Sequence, residues 1–141
     1  MDRKYKFIIG IDTGKHTGVA VYDVADKKMI VATTLKIHEA FVLIDEYYYE
    51  FGNDIFVRFE DARQRKWFGL SDREKLQGAG SVKRDSAIWQ DFLTDKGIAF
   101  EAVPPKNNKT KLSEIAFRQI TGYHEKTSEH GRDAAMLCFG Y

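Results

Sequence analysis

Phe7-Ile8-Ile9-Gly10-Ile11-Asp12-Thr13-Gly14-Lys15-His16-Thr17-Gly18-Val19-Ala20-Val21-Tyr22-Asp23 is the stretch on which the fold turns. Two β-rich runs, at 7–11 and 19–23, flank a polar loop that carries Gly14, the pattern of a β-hairpin. Asp26-Lys27-Lys28 supplies the next turn, and the run at 29–36 reads as a third strand. Three strands joined by short turns form an antiparallel meander. The period then changes. Ile37, Phe41, Ile44, Tyr48 and Phe51 recur at spacings of three and four, the apolar stripe of a helix that Gly52 stops.

Beyond it, Ile55-Phe56-Val57-Arg58-Phe59 reads as a fourth strand ending at Glu60-Asp61. Ser71-Asp72-Arg73-Glu74 has the Ser-x-x-Glu form of a capping box. The long helix it opens carries Leu76, Ala79, Val82, Trp89 and Leu93 and closes near Gly97. A fifth strand, 98–103, is stopped by Pro104-Pro105. Leu112, Ile115, Ala116 and Ile120 mark a further helix ending at Gly122, and a last helix runs from about 129 to 139. The order β-β-β-α-β-α-β-α-α predicts a single α/β domain over 1–141, a mixed five-stranded sheet flanked by helices. Right-handed crossovers place the fourth strand parallel to the first and beside it.

Composition excludes more than it selects. The chain has 141 residues, 43% hydrophobic and 30% charged, enough apolar material for one core. One cysteine, Cys138, excludes a disulfide framework and any four-thiolate zinc site, and reads as core between Leu137 and Phe139. No apolar run approaches the roughly 20 residues of a membrane span, so a cytoplasmic setting is expected. With 22 basic against 21 acidic side chains the net charge is +1, and nucleic-acid binding has to be argued from local patches. Gly10 to His16 superficially resembles a phosphate loop, but its spacing is short and no Ser or Thr follows Lys15. His16, His38 and His124 lack partners at metal-ligand spacing and read as surface residues.

The acids are better placed. Alternation puts Ile8, Gly10 and Asp12 on one strand face, and Phe56, Arg58 and Glu60 on another. Parallel neighbours then carry Asp12 and Glu60 at carboxyl ends, the rim where open α/β sheets bind ligands. His130 and Asp133, three apart, share a face of the last helix, which Ala134, Met136, Leu137 and Phe139 would hold on the core. Converging carboxylates resist joint ionisation unless a cation neutralises them. Oxygen donors with one imidazole suit Mg²⁺ or Mn²⁺, and two such ions, about 3.5–4 Å apart, are a standard device for in-line attack on a phosphodiester.

Three stretches together resemble the RuvC family of Holliday-junction resolvases, of the RNase H-like superfamily. They are Ile8-Ile9-Gly10-Ile11-Asp12-Thr13-Gly14, Glu60 closing the fourth strand, and His130-Gly131-Arg132-Asp133-Ala134-Ala135. Lys75-Leu76-Gln77-Gly78-Ala79-Gly80-Ser81-Val82 resembles the start of that family's long central helix, and 101–109 the stretch before its next one. The chain is shorter than typical cellular members, the length of a compact phage-type version. The resemblance implies an acidic quartet at Asp12, Glu60, His130 and Asp133 holding two Mg²⁺ or Mn²⁺ ions. The family commonly has Asp where this chain has His130, which serves as ligand or as acid/base. A lysine near the scissile phosphate is also implied; Lys109 matches best, with Lys106 and Lys111 open alternatives.

The implied activity is paired nicking of four-way DNA junctions by a homodimer, in a bacterial or phage-infected cell. Arg63, Arg65 and Lys66 would hold phosphates while Trp67 or Phe68 wedges where pairing is broken. Lys83 and Arg84 could line a DNA groove, and Lys106, Lys109 and Lys111 lie around a helix start suited to phosphate. Competing readings are a YqgF-like enzyme acting on RNA and a non-catalytic junction- or nucleotide-binding relative. The first is disfavoured by the long helix directly after Glu60.

Overall fold

The computed structural model describes residues 4–64, 73–105 and 111–141, without the side chains of 73–79 and 82. The strands are β1 (Phe7–Asp12), β2 (His16–Asp23), β3 (Lys28–Lys36), β4 (Ile55–Glu60) and β5 (Phe100–Val103). The helices are α1 (Ile37–Phe51), α2 (Arg73–Lys96), α3 (Glu114–Thr121) and α4 (Glu129–Cys138). The sheet runs β3-β2-β1-β4-β5, antiparallel across the meander and parallel from β1 through β4 to β5. The mixed five-stranded α/β sheet anticipated from the sequence is therefore the one formed. The expected capping box at Ser71 lies outside the described residues.

Local chemistry explains the turns. Asp23 Oδ1 accepts the Asp26 N–H at 3.1 Å, closing the β2–β3 turn, in which Lys27 takes a φ of +52°. Thr17, fully buried, donates its hydroxyl to Gly14 O at 2.7 Å and tightens the β1–β2 loop. Gly97 follows α2 with a φ of +72°, a backbone region that glycine enters without steric cost.

The sheet is buried on both faces. On one, Ile9, Ile11, Val19, Val21, Val57 and Phe59 pack against Ile44 of α1 and against Trp89 and Leu93 of α2. On the other, Ile8, Ala20, Tyr22, Ala32 and Phe56 pack against Phe117 of α3 and Ala134, Ala135 and Cys138 of α4. Two expectations need correcting. Strand β5 starts at Phe100, two residues later than the apolar run suggested, because Ile98 turns into the core before the ladder begins. Helix α3 does not bury the stripe read from its sequence: Ile115 and Ile120 are exposed, and Phe117 is the residue that reaches the core. Ser113 Oγ accepts the Ala116 N–H at 3.1 Å and caps the short helix. Helix α4 is held as expected, by buried Ala134 and Leu137 and by partly buried Met136 and Phe139 packed against the cluster, with Ala135 and Cys138 added to them.

Candidate active site

Parallel pairing aligns Ile11 with Phe59, so Asp12 and Glu60 stand level at the carboxyl ends of β1 and β4. Thr13 ties the two ends together, its Oγ1 donating to Glu60 O at 3.3 Å. Helix α4 then crosses the same face. It can lie close because glycines stand at three of its contacts with the sheet. A Cβ on Gly10 would strike the carbonyl oxygen of Ala134, and one on Gly18 the carbonyl oxygen of His130. One on Gly131 would come within 2.7 Å of Thr33 N. Each of these glycines is needed for close approach rather than for a turn.

Both ends of α4 are fastened. At its start Ser128 Oγ accepts the Gly131 N–H at 3.0 Å and pairs with the Thr34 hydroxyl on β3. Near its end Arg58 of β4, only 7% exposed, donates Nη1 to Leu137 O at 2.6 Å and Nε to Glu101 Oε2 at 3.1 Å. Its guanidinium lies 3.9 Å from the centre of the Tyr141 ring. A cation at a helix C-terminus is favourably placed against the dipole. This role of Arg58 escapes a reading by strand alternation, although one charge inside an apolar run, Ile-Phe-Val-Arg-Phe, was the available signal.

With α4 so held, His130 Nδ1 lies 3.0 Å from Asp12 Oδ2. Asp133, 9% exposed, accepts the backbone N–H of Lys111 on Oδ1 at 2.8 Å. Burial raises the Asp12 carboxyl from its ordinary 3.8 to about 6; the His130 hydrogen bond opposes this, while the charges of Glu60 and Asp133 add to it. Four groups from β1, β4 and α4 therefore meet in one electrostatic environment. As placed, no three His, Cys, Asp or Glu side chains among the described residues form a finished metal cage. The donor types still fit a hard divalent cation: Asp12 contacts His130 and feels the charges of Glu60 and Asp133, and the burial and neighbouring charge that disfavour an ionised Asp12 are what a cation offsets.

The other expected site residues separate. Arg65, Lys66, Trp67, Phe68, Lys106 and Lys109 lie outside the described residues. Arg63 is engaged within the fold: Nε and Nη2 grip Asp61 at 2.8 and 3.0 Å, and Nη2 also meets Gln90 Oε1. These bonds hold the buried Asp61 carboxyl below its usual range against the opposing effect of burial. Lys83 and Arg84 are exposed on α2, with Arg84 3.7 Å from Asp85. Lys111 is exposed, and the contact it makes to Asp133 comes from its main chain. His16, His38 and His124 are exposed and Cys138 is fully buried, as expected.

No protein-family model matches this chain, and no curated protein does. Among solved structures it is similar to T. thermophilus RuvC in complex with a Holliday junction substrate. The two share 18% identity and a TM-score of 0.58 over 96% of this chain and 91% of that one. The likeness establishes an RNase H-like fold of the RuvC kind. Among the described residues no helix is long and apolar enough to cross a membrane.

Proposed function

We propose that this protein is a divalent-metal-dependent endonuclease that cuts branched DNA, four-way junctions above all. The observation that carries the reading is Asp12, 3.0 Å from His130 and under the charges of Glu60 and Asp133, so that side chains from three elements act on one carboxylate. The RuvC-like fold supports it, because the neighbour of that fold was solved with a Holliday junction.

Asp12, Glu60 and Asp133 would hold Mg²⁺ or Mn²⁺. Such ions, when bound, supply an activated water and neutralise charge on the leaving oxygen. Half-exposed His130 keeps Nδ1 on Asp12, leaving its other ring nitrogen to act as a ligand or to move a proton. Lys109, with Lys106 or Lys111 as alternatives, would stabilise charge on the phosphate in the transition state. Arg65, Lys66, Trp67 and Phe68 would contact DNA past the site, and Lys83 and Arg84 would add phosphate contacts along α2. Arg63 is better read as a brace on Asp61 and Gln90 just past β4. Two opposed strands call for two such sites, hence a homodimer.

Cleavage of a labelled four-way junction in Mg²⁺ tests the reading, comparing wild type with Asp12→Asn and Glu60→Gln. Both variants should bind the junction and fail to cut it. Cutting by either variant, or binding without cutting by all three proteins, overturns the proposal.

A further inference from the structure

Two described non-glycine residues have a positive φ. Lys27 sits in the tight β2–β3 turn, which explains its conformation. Lys111, at +61°, lies ahead of α3, whose cap is Ser113. A side chain in the left-handed region is strained unless its surroundings hold it there. Two contacts from α4 hold this segment. The Lys111 N–H donates to Asp133 Oδ1 at 2.8 Å, and Arg132 Nε donates to Leu112 O at 2.8 Å. Leu112 also packs into the cluster under α4. Neighbouring residues of α4 thus grip neighbouring residues of the approach to α3, one at a backbone donor and one at a backbone acceptor.

We propose that the Lys111 main-chain amide, held in its left-handed conformation, is a positioning group that orients the Asp133 carboxylate for the cation. The inference rests on the reading of Asp133 as a metal ligand. A carboxylate with one oxygen on a fixed N–H has surrendered its rotation before the ion arrives, and outer partners of this kind set ligand geometry. The device belongs to the backbone. Side-chain identity at 111 therefore matters to the cation chiefly through φ.

Lys111→Gly and Lys111→Val both remove the ammonium, but only glycine accepts a φ of +61° without strain. Calorimetric titration of each metal-free protein with Mn²⁺ alone separates them. Lys111→Gly should keep the wild-type affinity within about twofold, whereas Lys111→Val should weaken it by roughly tenfold or more, the range for loss of an outer-shell partner. Circular dichroism confirms that both are folded; should Lys111→Val unfold, Lys111→Ala takes its place with a smaller loss in the same direction. Equal Mn²⁺ affinity in the glycine and valine (or alanine) variants, with only the melting temperature changed, reduces the contact to a structural one and overturns the proposal. Asp12→Asn in the same titration tests the premise. If it binds Mn²⁺ as wild type does, the metal-site reading fails. If binding needs Asp12 but ignores residue 111, only the amide's role fails.

Discussion

The two faces of the sheet are built from different materials. Toward α1 and α2 the contacts are bulky: Ile9, Ile11, Val19, Val57 and Phe59 meet Ile44, Trp89 and Leu93, and Phe41 stacks at 4.5 Å on both Trp89 and Phe92. Toward α4 the closest approaches are small, Gly10, Gly18, Ala20, Ala32, Gly131, Ala134 and Ala135, beside bulkier Ile8, Tyr22 and Phe56, with Arg58 and Asp133 also buried there. Bulky side chains stabilise through the apolar area they remove from water. Small ones contribute less area but let a helix backbone come close enough to place its side chains against strand ends. One face is built for stability and the other for position, and the acids lie on the second.

The sharpest break between them should come from Asp12→Asn. Junction cutting should fall by roughly 10³-fold or more, beyond the 10–100-fold that an outer-shell partner costs, while the protein becomes more stable. The sign follows from the raised carboxyl. Folded Asp12 keeps its proton to about pH 6 against 3.8 ordinarily, so the wild type loses stability as pH climbs through that window and the penalty is complete above it. The asparagine variant should lack this slope and gain up to about 3 kcal/mol at pH 7.5, followed by urea unfolding across pH. Equal stability of the two proteins at pH 7.5 would show that Asp12 is not held out of water as described.

Next comes Gly18→Ala. One methyl would collide with the His130 carbonyl and come within 2.9 Å of the Asp12 Cβ, so α4 must shift. A cost of about 3 kcal/mol, the upper range for overpacking, should accompany weakened Mn²⁺ binding. Ile9→Val on the opposite face should cost only about 0.5–1.5 kcal/mol and leave Mn²⁺ affinity alone. Loss of affinity in both would erase the division of labour between the faces.

Below Gly18→Ala, Arg58→Met should cost about 1.5–3 kcal/mol, the range for hydrogen bonds from a charged group, read by thermal unfolding. The smallest change belongs to the stability face. The Trp89 indole N–H is fully buried and has no hydrogen-bond partner among the described residues, so Trp89→Phe removes that donor along with some packing. The two effects oppose, and the net should stay within about 1 kcal/mol.

Much of this was legible because it is periodic. The alternation in β1 and β4 put Asp12 and Glu60 on faces that the parallel register then aligned, and the spacing of His130 and Asp133 survived intact in α4. Phe117 was missed because a helix of 8 residues has too few turns for an apolar stripe to single out one face. The tasks of Arg58, Asp61 and the Lys111 amide were not legible. Each depends on a partner 79, 2 or 22 residues away whose direction no local pattern encodes.

Element order, strand alternation and the types of the four site residues come from the chain alone, since backbone geometry fixes side-chain direction within each strand and helix. How near those residues stand, and how burial and like charge drive Asp12 toward pH 6, was decided only when glycines let α4 settle on the sheet. Distances and local dielectric arise between elements, and a sequence specifies elements far more directly than the space between them.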